Sequence, residues 1–187
     1  HHRGASAVKT GLKRRQEAGS YTGNEEFNYF LSVLFPDNEL MIMDYNRYVL
    51  DLNGHTPETL IVRLKDDFDV RIICDGVYKP DRKGRIGMYV NHTWYCLTIK
   101  ETLAADSNPV DSLDVAYLQN KVLAPLFNIQ DPKTDKRIDF IGGIRGLSEL
   151  EKLVDNNGGV AFAMYPTGMA ELFAVADAGL LMPPKST

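Results

Sequence analysis

Residues 84–100 read GRIGMYVNHTWYCLTIK, and this stretch decides the fold. Two runs rich in β-branched and aromatic side chains, GRIGMYV and TWYCLTIK, flank Asn91-His92 and predict two strands joined as a β-hairpin. Asn91-His92-Thr93 also matches a glycosylation acceptor, but no secretory signal pattern accompanies it, so it reads as a turn.

Toward the N-terminus, Ala5, Val8 and Leu12 recur at helical spacing and predict a helix over 4–18, with Gly19 as its stop. A polar joint, SYTGNEE, follows. NYFLSVLFP and ELMIMDY, on either side of Pro36-Asp37-Asn38, read as a hairpin or edge pair. RYVLDLNGH reads as a strand, PETLIVRLKDDF as a helix started by Thr56-Pro57, and DVRIIC as a strand. Toward the C-terminus, DSNPVDSLDVAYLQNKVLAPLFNI predicts a longer helix with Leu113, Tyr117, Leu118 and Val122 on one face and Pro125 near its end. RIDFIGG (strand), LSELEKLVDNNGG (helix), VAFAMYP (strand) and TGMAELFAVADAGL (helix) complete the chain, with no internal repeat. Strands arrive partly as hairpins and partly between helices. The expectation is an α+β fold: a mixed sheet with hairpins and helices packed on it.

The 187 residues carry 44% hydrophobic and 25% charged side chains, an ordinary composition for a soluble globular chain. A net charge of −4 and a pI near 5.6 argue against general affinity for nucleic acid, which needs a basic surface. No apolar run is long enough to span a bilayer. Cys74 and Cys96 sit in apolar, strand-like runs and read as buried free thiols, which fits a reducing cytoplasm.

Three motifs carry candidate chemistry. His1-His2-Arg3 precedes a helix opened by Gly4, Ala5 and Ser6, as an anion site requires: free amides, a favourable dipole, small residues and a guanidinium fork. A tag remnant and a merely solvated helix start are the other readings. Met182-Pro183-Pro184-Lys185-Ser186-Thr187 displays Lys185, Ser186 and Thr187 as secondary anion contacts, or is simply an ordered crossing segment. DFIGGIRGLSELEKL is a strand, glycine-rich loop and helix with Arg145 nearby. It lacks the lysine-serine/threonine ending of a P-loop and reads first as a tight connection. Metal sites are poor: His55 precedes a helix, His92 lies in a turn, and no CxxC occurs. Asp75 and Asp81, in CDGVYKPDRKG, are weak candidates for holding Mg²⁺ with a nucleotide. No residue is singled out as catalytic.

HHR running into GASAVKTGLKRR resembles the second half of an aspartate-glycine-histidine-histidine-arginine stretch in the domain of unknown function 1015 family. NYFLSVLFPDNELMIMDYNRYVLDLNG, SLDVAYLQNKVLAPLFNI and AVADAGLLMPPKST resemble the same family, and Asn46 departs from it where many members have histidine. The resemblance weighs against the tag reading. It implies a C-terminal portion of a longer protein: residues 1–20 would be a phosphate-site turn and helix shared with an absent N-terminal half, and 21–187 an α+β C-terminal domain. A more distant likeness is to the ParB/sulfiredoxin-like superfamily, whose glycine-x-x-arginine turn holds nucleotide phosphates and some of whose members phosphorylate free serine. By that likeness, Arg3 and His2 bind phosphate, His1 touches substrate or phosphate, and ATP or ADP with Mg²⁺ is the cofactor. The implied function is a nucleotide-dependent phosphotransferase acting on a small metabolite such as an amino acid. The alternative is a non-catalytic nucleotide-sensing or assembly domain. The expected partners are the missing N-terminal half and a small-molecule ligand, with neither nucleic acid nor membrane.

Overall fold

The computed structural model describes residues 2–20, 22–100 and 108–184, with the side chains of His2 and Arg3 outside that description. The chain divides into two compact units, His1–Met41 and Ile42–Thr187.

In the first unit, α1 spans His2–Ala18, close to the expected helix, and Gly19 ends it at φ +69°. A single 3₁₀ turn, Glu26–Asn28, lies against α1 where Gly11 leaves room; a Cβ there would stand 2.8 Å from the Phe27 carbonyl oxygen. Arg15 Nε donates to Asn28 Oδ1 at 2.5 Å. Glu25 accepts the Thr22 and Gly23 amides at 2.6 and 3.0 Å, and these bonds hold its carboxyl at about 2.

The hairpin expected across Pro36 does not form. Residues 29–44 join no ladder among the described residues, and their only regular turn is 3₁₀, Asp37–Glu39. Leu31 and Leu34 are 93% and 91% exposed. An apolar, β-branched composition fits a pleated surface but supplies no partner strand, and without a ladder there is no strand.

The second unit holds a six-stranded sheet, order β2-β4-β3-β6-β1-β5. The strands are β1 (Tyr45–Val49), β2 (Phe68–Ile73), β3 (Arg85–Val90), β4 (Thr93–Ile99), β5 (Ile138–Gly142) and β6 (Val160–Ala163). The helices are α2 (Pro57–Leu64), α3 (Asp114–Leu118), α4 (Ala124–Phe127), α5 (Leu147–Asn157) and α6 (Met169–Asp177). The α+β class holds. Every ladder is antiparallel, however, where a mixed sheet was expected. β5 and β6, joined through α5, do run parallel, but β1 lies between them and pairs antiparallel with both. Sequence order shows the crossover and hides the intervening strand.

The hairpin of residues 84–100 forms as expected. Asn91 and His92 both adopt positive φ, 47° and 57°, the turn whose twist matches the flanking strands. Period-2 alternation then sorts the side chains. Val49, Ile86, Met88, Leu97 and Phe162 face a large core with α2, α3 and α4, while Tyr48, Tyr89, Trp94, Ala161 and Ala163 face α5. Fully burying each large apolar side chain contributes about 1.5–3 kcal/mol. Polar ends tie α5 down: Trp94 Nε1 donates to Glu151 at 2.8 Å and Tyr89 Oη to Asp155 at 3.0 Å.

The longer C-terminal helix begins later than its pattern suggests and breaks in two. Between α3 and α4 lies a π turn, Gln119–Leu123, in which the Ala124 amide bonds the Gln119 carbonyl. Pro125 has no N–H to continue α-type bonding, and widening the turn is one accommodation. Asn128, left-handed at φ 55°, ends α4.

Candidate functional site

Most of the residues expected to bind phosphate are beyond what the structure describes. His1, Lys185, Ser186 and Thr187 lie outside the described residues, as do the side chains of His2 and Arg3. The backbone of His2 and Arg3 belongs to the first turn of α1 rather than to a preceding loop. No acidic residue occupies that first turn.

The glycine-rich candidate is fully described. β5 runs through a 3₁₀ turn, Gly143–Arg145, into α5, whose N-cap Gly146 sits at φ +76° with no side-chain cap. A tight strand-to-helix connection is therefore what the residues build. Its register gives it a second property. β1 pairs beside β5 with Tyr45 opposite Gly142, so the next pair sets Asp44 against Gly143. The Gly143 amide donates to the Asp44 carbonyl at 2.9 Å, and a Cβ on Gly143 would collide with the Asp44 carboxylate. The Asp44 carboxylate thus fills the place that a side chain at position 143 would take.

Asn46 and Arg47 extend the polar corner into the sheet. Asn46 is fully buried; its Nδ2 donates to Asp44 Oδ2 at 2.9 Å and its Oδ1 accepts the Met164 amide at 2.9 Å. Position 46 thus has a role a neutral amide fills, one donor and one acceptor at once. Arg47, 4% exposed, points to the opposite face, donates to the Tyr45 carbonyl and lies 5.4 Å from the Phe140 ring centroid. Burial alone pulls its guanidinium down to about 10, which leaves it charged at neutral pH. Thr167, 9% exposed, is another buried polar residue of this unit. Asp44 and Arg47 were missed as site residues. The available signal was two charges bracketing Asp44-Tyr45-Asn46-Arg47 at a strand start, where a buried strand normally reads apolar.

The remaining candidates fall apart or stay local. Asp81 is paired with Arg85 at 3.1 Å, Asp75 is exposed, and no group of three His, Cys, Asp or Glu could hold a metal among the described residues. His55 precedes α2, but the cap is Thr56, in a reciprocal box with Thr59. His92 Nδ1 lies 2.9 Å from Asp155 Oδ1. Cys96 is buried with its Sγ 3.0 Å from Tyr78 Oη, whereas Cys74 is exposed, contrary to expectation, because it stands just past the end of β2.

The family model described as "Protein of unknown function (DUF1015)" matches residues 1–116, more than half the chain. The chain belongs to this family. The DUF1015 match takes in α1, β1 to β4 and the Asp44–Arg47 stretch; Gly143 and Thr167 lie beyond it. No curated protein and no solved structure matches the chain. No helix among the described residues is long and apolar enough to cross a membrane.

Proposed function

We propose that this DUF1015 chain is a nucleotide-dependent phosphotransferase acting on a small metabolite, with the Asp44–Gly143 corner as its acidic centre. The observation that carries the reading is the Asp44 carboxylate, packed against Gly143 and held by the Asn46 amide. Phosphoryl transfer asks a protein for positioning, charge neutralisation and a group to receive the attacking hydroxyl's proton. Asp44 supplies the acceptor, oriented by Asn46 through one carboxylate oxygen. Apart from that corner, the distant ParB/sulfiredoxin-like resemblance makes His1, His2 and Arg3 phosphate contacts of the first unit, and the proline-flanked Lys185, Ser186 and Thr187 are separate candidate anion contacts of the second.

Asp44 is a lone carboxylate already given to the proton, and no group of three metal-ligating side chains occurs among the described residues, so Mg²⁺ would come bound to the nucleotide phosphates rather than to this corner. The metal nucleotide, when bound, supplies the phosphoryl group and neutralises its charge. The protein's own part is to keep Asp44 oriented through Asn46.

The test is product formation from ATP or ADP with a panel of free amino acids, using wild type and Asp44→Asn. We expect phosphorylated product from wild type and loss of turnover in the variant, with its fold unchanged. Nucleotide binding without product in every combination would favour a sensor. Equal turnover by Asp44→Asn would remove Asp44 from the chemistry.

A further inference from the structure

A second constellation lies apart from that corner, where the approach to β3 meets the start of α3. Asp114 is 8% exposed, and both its carboxylate oxygens share one donor, the Gly84 amide, at 3.0 and 2.9 Å. A carboxylate offers about four acceptor sites, so among the described residues a single shared N–H leaves it under-satisfied. It borders a cleft of about 340 Å³, within the range of small-molecule sites, which Arg82, Lys83, Thr98, Ser112 and Tyr117 also line.

The charges around the cleft are ordered. Lys83 Nζ is 2.6 Å from Glu171 Oε1, and Glu171 Oε2 accepts the Gly168 amide at 2.8 Å, so this pair is already satisfied. Arg82 is exposed, and its guanidinium meets no acceptor among the described residues. One side therefore carries a buried, under-satisfied anion, and the rim carries an uncommitted cation. A plain diamine would meet Arg82 and Lys83; a plain anion would meet Asp114 and Glu171. A ligand bearing both charges meets neither repulsion.

We infer that this cleft binds a small zwitterion of the amino-acid class, its ammonium on Asp114 and its carboxylate on Arg82. Burial, with the Glu171 charge adding to it, raises the Asp114 carboxyl to about 6, against the opposing pull of the Gly84 amide and Lys83. An arriving ammonium favours the ionised form, so binding near pH 6 releases a proton. The inference shares its ligand class with the phosphotransferase reading but rests on this cleft's own residues.

The experiment is calorimetric titration with serine, glutamate and leucine at pH 6 in two buffers of different ionisation enthalpy. The N-acetyl and methyl-ester derivatives, each lacking one charge, serve as controls. We expect at least one free amino acid to bind with proton release, and both of its derivatives to bind about tenfold more weakly or less, the loss of one charge-assisted contact. Asp114→Asn should abolish the proton release and weaken binding about tenfold. Arg82→Ala, at an exposed position, should weaken it similarly without altering the melting temperature. Absence of binding by all three amino acids overturns the inference, as does equal affinity in both variants. Nucleotide affinity measured on the same variants should be unchanged, so the two proposals fail separately.

Discussion

Replacing Asp114 by asparagine should make the protein more stable at neutral pH, although the residue is buried and hydrogen-bonded. The folded carboxyl titrates at about 6 rather than 3.8, and desolvation is the largest cause. At roughly 1.4 kcal/mol per tenfold change in proton affinity, ionised Asp114 costs about 3 kcal/mol of folding free energy. The sign follows from proton binding. Between 3.8 and about 6 the folded state holds the proton more tightly than the unfolded chain. Stability is therefore highest below 3.8, falls as pH rises through 6, and stays at its reduced value above that. Asparagine keeps an acceptor for the Gly84 amide and removes the charge, though its own amide needs a partner in the cleft. The net gain at pH 7.5 should be about 1–3 kcal/mol, or several degrees in melting temperature for a chain of this size. Urea unfolding of both proteins at pH 4, 5, 6 and 7.5 reads it directly. The advantage of the variant should shrink steadily to nothing near pH 4. A variant destabilised equally at every pH would show that the carboxylate stabilises the fold and that the desolvation argument is wrong.

Other expectations are simpler to read. Gly143→Ala should destabilise by about 1–3 kcal/mol in thermal melts, the usual effect of forcing a group into filled space, and Gly143→Ala combined with Asp44→Ala should recover part of it. Asn46→Ala leaves the buried Met164 amide without its acceptor and should lower stability by about 1–3 kcal/mol in urea unfolding; no change would mean the amide finds another partner. Burial, reinforced by Asp155, raises the Tyr89 phenol to about 12, and burial with Cys96 does the same for Tyr78. An alkaline absorbance titration should show late tyrosines, Tyr48 among them because burial raises its phenol too, with stability falling as pH passes from 10 toward 12. Arg3→Ala should weaken nucleotide affinity by about 1.5–3 kcal/mol in a binding titration, the range for hydrogen bonds to charged groups.

The hairpin and the Thr56 cap were legible because each is a local pattern with a local cause. The two neighbours of β1 were not. Its pairing with β5 and β6 joins residues 89 to 115 positions apart, such as Asn46 with Ile141. The same long-range pairing creates the Asp44–Gly143 corner. A glycine-rich connection read alone says only that the chain turns; its meaning comes from the carboxylate set beside it. Asp114 was hidden differently, inside a pattern that read as ordinary helix, because burial of one carboxylate depends on how α3 meets the loop before β3. Leu31 and Leu34 mislead in the other direction: their composition announces a strand, yet pairing decides.

The most direct test of the central claim is equilibrium binding of ATP and of ADP to the complete gene product, with and without Mg²⁺, by calorimetry. Saturable binding of at least one nucleotide, lost or strongly weakened in Gly143→Ala, is the predicted result. No binding of either nucleotide under any of these conditions would contradict it.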